Sequence, residues 1–139
     1  MADLANTKVI FELVTPTALT ISENVDMVVV PGIDGDFGVL PGHSPVLTTI
    51  RPGLIKIFTN GEVTKSLFVE GGFAEASVNG CTVLAEGVTD ILDISAEDAE
   101  ARLAAARDAV TDKNGAIAKN EVKVAEAMVM AASGNNTQH

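Results

Sequence analysis

Tryptophan and tyrosine are absent from this 139-residue chain, and phenylalanine occurs only five times. Any core must therefore be aliphatic, and the aromatic platforms on which single-stranded nucleic acids stack are missing. Cations are also scarce. Nine Lys and Arg against nineteen Asp and Glu leave a net charge of −10, a field that repels phosphate backbones and anionic membrane surfaces. Nucleic acid is thus disfavoured as a partner. A single cysteine, Cys81, cannot close an internal disulfide, and His43 and His139 alone cannot complete a Cys/His metal set. Cys81 is expected as a buried strand residue in a reducing compartment. No apolar run approaches the roughly 18 residues that span a bilayer. The N-terminal MADLANTKVIF lacks a basic segment followed by an apolar stretch, so no signal peptide is expected. These features suggest a cytosolic chain, or one brought to a membrane by a partner and not inserted directly.

What is present divides into two parts. All five prolines and ten of the twelve glycines precede Val88, and between them run short segments rich in Val, Ile, Thr and Phe. That pattern predicts an all-β sandwich or barrel of about nine strands. The segments are VIFEL (9–13), a piece around Leu19 and Ile21, MVVV (27–30), a short stretch from Phe37 to Leu40, VLTTI (46–50) and LIKIF (54–58). VTKSLFVE, FAEASV and CTVLAE complete the set. Asn60-Gly61 and Asn79-Gly80 each predict a tight hairpin, because both residue types tolerate positive φ.

From Asp90 the period becomes helical. Ser95 is placed to cap a helix from Ala96 to Val110, with Glu97, Asp98 and Glu100 favouring its dipole. Ala96, Ala99, Leu103, Ala106 and Val110 form its apolar stripe. A turn over 111–115 leads to a second helix from Ala116 to Ala132, with Ile117, Val124 and Met128 beside Val122, Ala125 and Val129. The polar SGNNTQH end is expected to fray. The Ala/Val seam buries little area, so this antiparallel hairpin needs the sandwich or another protein to hold it. The chain is accordingly divided at 1–87, β-sandwich, and 88–139, helical hairpin.

Few residues suggest catalysis. The run Gly32-Ile-Asp-Gly-Asp-Phe-Gly38 lacks the lysine of a phosphate loop, and Asp34 and Asp36 would repel an anion; it also lacks the distal acceptors of a calcium loop. In Gly42-His43-Ser44-Pro45-Val46 the second glycine of a nucleophile elbow is missing, and Pro45 removes a useful N–H. A hydrolase built on Ser44 and His43 is therefore disfavoured, as is Cys81 as a nucleophile. No catalytic, cofactor or metal residue is assigned. Interaction is what remains, and the Asp34–Pro45 loop on a rigid sandwich is a natural binding edge.

The run GIDGDFGVLPGHSPVLTTIRPGLI, then VEGGFAEASVNGCTVLAE and an alanine-rich helical hairpin, resembles the epsilon subunit family of bacterial F-type ATP synthases, which corresponds to the mitochondrial delta subunit. The resemblance implies a ten-stranded β-sandwich followed by a two-helix hairpin, a non-catalytic part of the central stalk of a proton-translocating synthase. It implies contacts with the gamma subunit and the polar loops of the c-ring, and contact of the helices with the alpha/beta catalytic head that restrains ATP hydrolysis. Asp36 is then expected to meet the ring and His43 to lie near the gamma contact, with Phe37, Pro41, Gly42 and Ser44 completing the interface. The implied location is the cytoplasmic face of the bacterial inner membrane. One departure stands out: Leu92-Asp93-Ile94-Ser95 is followed by Ala96 where ATP-binding members carry arginine. ATP is thus expected to bind weakly or not at all, and the five cations against nine acids after Val88 predict mild inhibition of hydrolysis. A β-sandwich binding module with a helical dimerisation tail is the alternative.

Overall fold

Alternation at period two drives the N-terminal segments into strands whose inward side chains meet between two leaves. The structure, a computed structural model, describes residues 8–16, 18–110 and 115–137. Ten strands run in order: β1 (Val9–Thr15), β2 (Ala18–Val25), β3 (Met27–Gly32), β4 (Gly35–Val39), β5 (Val46–Ile50), β6 (Gly53–Thr59), β7 (Glu62–Val69), β8 (Gly72–Ser77), β9 (Gly80–Ala85) and β10 (Val88–Asp90). A 3-10 turn (Ile91–Asp93) leads to α1 (Ala96–Asp108) and α2 (Gly115–Thr137).

The strands follow the order β10-β7-β6-β3-β5-β8-β9-β1-β2, with β4 also on β3. The sheet curls into two leaves that join at a single pair, Gly32 with Ile50. Between them lie Val28, Val30, Val39, Ile55 and Ile57 from one leaf and Phe11, Leu13, Ala74, Cys81 and Val83 from the other, all buried. Cys81 therefore sits where the sequence places it, and burial pushes its thiol up to about 12.

The first Asn-Gly hairpin forms as expected, with Asn60 at φ 56° and Gly61 at φ 80° between the paired Thr59 and Glu62. The second is displaced by one residue. Ser77 pairs with Gly80, so Val78-Asn79 is the loop and Gly80 belongs to β9. Its φ is 150°, and a Cβ there would lie 2.2 Å from the Ile10 carbonyl oxygen. The parallel β1 lies against it, and this close approach claims the glycine for the ladder.

Residues 88–90, grouped with the helices by the change in sequence period, pair as β10 with Val69, Phe68 and Leu67 of β7. The Ser95 hydroxyl accepts from the Asp98 N–H at 3.0 Å and caps α1 as expected. α1 ends two residues early, at Asp108, and leaves Val110 exposed. α2 runs past Ala132 to Thr137: propagation adds one hydrogen bond per residue fixed, and no proline interrupts it. Val124, Ala125 and Met128 are buried as expected, but Ile117, expected on the same row, is 81% exposed, and Ala118 is buried in its place. The turn expected at 111–115 falls mostly on residues 111–114, outside the described residues.

The hairpin has its own floor. Phe68, fully buried, rises from the outer face of β7 and is enclosed by Ile91, Ala99, Val124, Met128, Ala131 and Ala132, with Leu54 of β6 alongside. The alternation of β6 thus serves both sides: Ile55 and Ile57 face the inter-leaf core, Leu54 the helices.

Candidate functional site

The loop that the sequence singles out is built on β3 and β4, antiparallel partners whose ends, Gly32 and Gly35, bracket the exposed Ile33-Asp34 turn. Asp36 follows directly, 60% exposed, and its carboxylate pairs with the Arg51 guanidinium. Arg51 Nη1 also donates to the Gly32 carbonyl at 2.6 Å. The Phe37 ring leans on the inter-leaf core and stands 6.4 Å from the His43 ring, tilted by 46°. Pro41 and His43 are half-buried, whereas Gly42 and Ser44 are exposed. The six candidate residues thus lie along one continuous stretch, with Phe37 anchoring it and His43 beside that anchor. His43 Nδ1 lies 2.5 Å from the Ser44 carbonyl, so that nitrogen carries a proton and donates it. No hydrogen bond joins the imidazole to the Ser44 hydroxyl among the described residues, and no cluster there could hold a metal ion.

Two features lie outside the sequence-derived site. The first is a clamp on the hairpin. Arg102 of α1 donates to Glu70, just beyond β7, through Nη1 at 3.2 Å and Nη2 at 3.0 Å. Its Nε donates to Glu121 of α2 at 2.8 Å. Hydrogen bonds to Glu70 and then Glu121 raise its already high basicity, so the clamp keeps its charge throughout the physiological range. Arg107 reaches Glu126 at 3.3 Å, so both arginines of α1 engage carboxylates. Sequence spacing carries no trace of Glu70, because it is 32 residues away.

The second is an open apolar face. Phe73, Leu84 and Val14 are side by side on β8, β9 and β1, and Phe73 and Leu84 are exposed along with nearby Leu47 and Ile33. Glu75 and Glu12 form the adjoining row through Thr82. A groove of about 760 Å³ runs from this face to Asn120 and Lys123 of α2. The periodicity predicts alternation here but not that the outward positions would be apolar on three neighbouring strands. Only strand order reveals it.

A rigid sandwich that presents a shaped loop and an open apolar face, with a helical hairpin seated on another side, defines a subunit that works through contacts with other chains. Its relatives agree. Residues 8–91 match the family model described as ATP synthase, Delta/Epsilon chain, beta-sandwich domain. The ATP synthase epsilon chain of Rhodospirillum rubrum is 46% identical over 128 residues, covering 89% of this chain and 96% of the relative. That of Paramagnetospirillum magneticum is 50% identical over the same length, with the same shares covered. A chain of the Euglena gracilis mitochondrial ATP synthase (OSCP/F1/c-ring) shares the fold at 18% identity and TM-score 0.78, over 90% of this chain and 81% of that one. A chain of the Tetrahymena thermophila mitochondrial ATP synthase central stalk/c-ring matches at 17% identity and TM-score 0.66, over 94% and 97%. The chain belongs to the delta/epsilon family of F-type ATP synthase subunits, non-catalytic components of the rotor stalk. Among the described residues no helix is long and apolar enough to cross a membrane.

Proposed function

We propose that this chain couples rotation of a membrane c-ring to the gamma shaft of its synthase, at the cytoplasmic face of the bacterial inner membrane. The Asp36–Ser44 stretch meets the ring and the shaft, and the hairpin is a movable arm that modulates hydrolysis at the alpha/beta head. The observation that carries the reading is the open face of β8, β9 and β1. A monomer gains nothing by leaving Phe73, Leu84 and Leu47 in water, and a contiguous apolar face with a polar rim marks a protein interface. Glu12 and Glu75 beside it suit a basic partner surface. The arm is docked by Phe68 and by the Arg102 clamp, contacts few enough to be exchanged for others. Engagement of Arg102 and Arg107 by carboxylates supports weak or no ATP binding, since α1 offers a triphosphate no unpaired guanidinium.

The test is isolation of the tagged chain from its host with and without Phe73→Asp/Leu84→Asp. The reading expects gamma and the c-ring to accompany the native chain and to be lost from the variant. A native chain recovered only as a homodimer would instead support the sandwich module with a dimerisation tail.

A further inference from the structure

We infer that Arg51 is a positioning residue that presents Asp36 to its partner and links that loop to α2 across the clefts they share. This rests on the proposed reading of the Asp36 loop as an interface. Arg51 opens the connection from β5 to β6, and its backbone N–H donates to the Pro31 carbonyl at 3.0 Å. Two residues earlier, the Thr49 carbonyl accepts from Ile33 N–H at 2.8 Å. The guanidinium adds the Gly32 carbonyl through Nη1 and the Asp36 carboxylate through Nη2. One side chain thus grips both strands of the β3–β4 hairpin. It does so at the point where the two leaves join through a single residue pair, adding side-chain contacts to the two backbone hydrogen bonds there.

The same residue shares two clefts with α2. The groove of about 760 Å³ that reaches Asn120 and Lys123 has Arg51 and Pro52 in its wall. A smaller cleft of about 280 Å³, reaching Ala127, Met130 and Ala131, has the same two residues and Asp36 in its own. Positions 120, 123, 127 and 130 recur at three, four and three residues and share one face of the helix. α2 therefore faces the Arg51–Pro52 corner across two open clefts. A partner group that draws Asp36 away changes what Arg51 holds in the wall of clefts that α2 borders on the other side. Coupling between the two places is then reciprocal. Lysine cannot substitute, because one ammonium cannot serve two acceptors in the planar fork that a guanidinium offers.

The experiment has two arms. In the full chain, amide hydrogen exchange is followed in Arg51→Gln and Arg51→Lys. Both variants are expected to accelerate exchange at 33–36 and 120–131 by about tenfold or more, with Phe11 in β1 unchanged. Unaltered exchange at 33–36 would overturn the role of Arg51, and acceleration confined to the loop would overturn its tie to α2. In the assembled synthase, proton pumping per ATP hydrolysed is measured for Asp36→Asn, Arg51→Gln and the double variant. Each single variant is expected to lower it, with the double no worse than the more severe single. Losses that multiply would show the two residues acting independently and sink the inference. Pumping unchanged in every variant, despite accelerated exchange, would instead remove the loop as an interface and with it the presentation of Asp36.

Discussion

Replacing Arg102 by alanine tests how the hairpin is held. Arg102 and Glu70 are 29% and 28% exposed, whereas Glu121 is 47% exposed, so the two carboxylates should contribute unequally. A hydrogen bond to a charged group contributes about 1.5–3 kcal/mol when well shielded, and an exposed ion pair about 0.2–1. With partial exposure discounted, the forked Glu70 contact is worth about 1.5 kcal/mol and the Glu121 contact about 0.5. Loss of both, about 2 kcal/mol, moves a urea midpoint by about 1 M for a slope near 2 kcal/mol/M. The assay is urea unfolding followed by far-UV circular dichroism, which reports chiefly on α1 and α2. Double-mutant cycles of Arg102→Ala with Glu70→Gln and with Glu121→Gln should give a larger coupling energy for Glu70. Raising KCl should narrow the gap between native chain and Arg102→Ala, because only the former has these ion pairs to lose to screening. A midpoint shift under about 0.25 M, or couplings near zero in both cycles, would show that the clamp merely decorates a hairpin held by Phe68.

Two further outcomes follow from the cores. Cys81, buried between the leaves with its thiol pushed up to about 12, should resist a disulfide reagent at pH 8 in the native chain and react fully in urea; stoichiometric labelling of folded protein would contradict this placement. A chain ended after Ile94 should fold as a sandwich but uncover Phe68, losing about 1.5–3 kcal/mol of burial and binding more hydrophobic dye than the full chain, an excess that Phe68→Ser in the same fragment largely abolishes. A monodisperse fragment carrying Phe68 that binds no more dye than the full chain would mean that the hairpin is not what covers that ring.

Much of this architecture is readable in the chain because local chemistry and global fold agree. Alternation marks nearly every strand, Ser95 caps α1, and Asn60-Gly61 turns one hairpin. What stays hidden depends on partners far apart in sequence. Gly80 looks like a turn residue until β1 is seen lying against it. Phe68 belongs by composition to the sandwich, yet its strand has two buried faces, and alternation cannot say what covers the second. The candidate loop is legible as a loop because its glycines and prolines break the periodic pattern. Its electrostatics are not, since Asp36 finds Arg51 only once β3 and β5 meet. Arg102 likewise reads as one more charge on a solvated helix until Glu70 is brought beneath it.

The parallel pairing of β1 with β9 also sets the order in which the molecule can be made. β1 finds β2 at once across a short turn, but its other edge waits for residues about seventy positions downstream, where Ile10 pairs with Gly80. At roughly 5–20 residues per second on the ribosome, that edge stays open for roughly 4–14 s. During this interval Ile10 to Val14 present one unpaired strand edge, the kind of template on which nascent chains misassociate. The pairing that completes this leaf is thus late to form. Until β9 leaves the ribosome, that edge has no strand of its own chain to pair with.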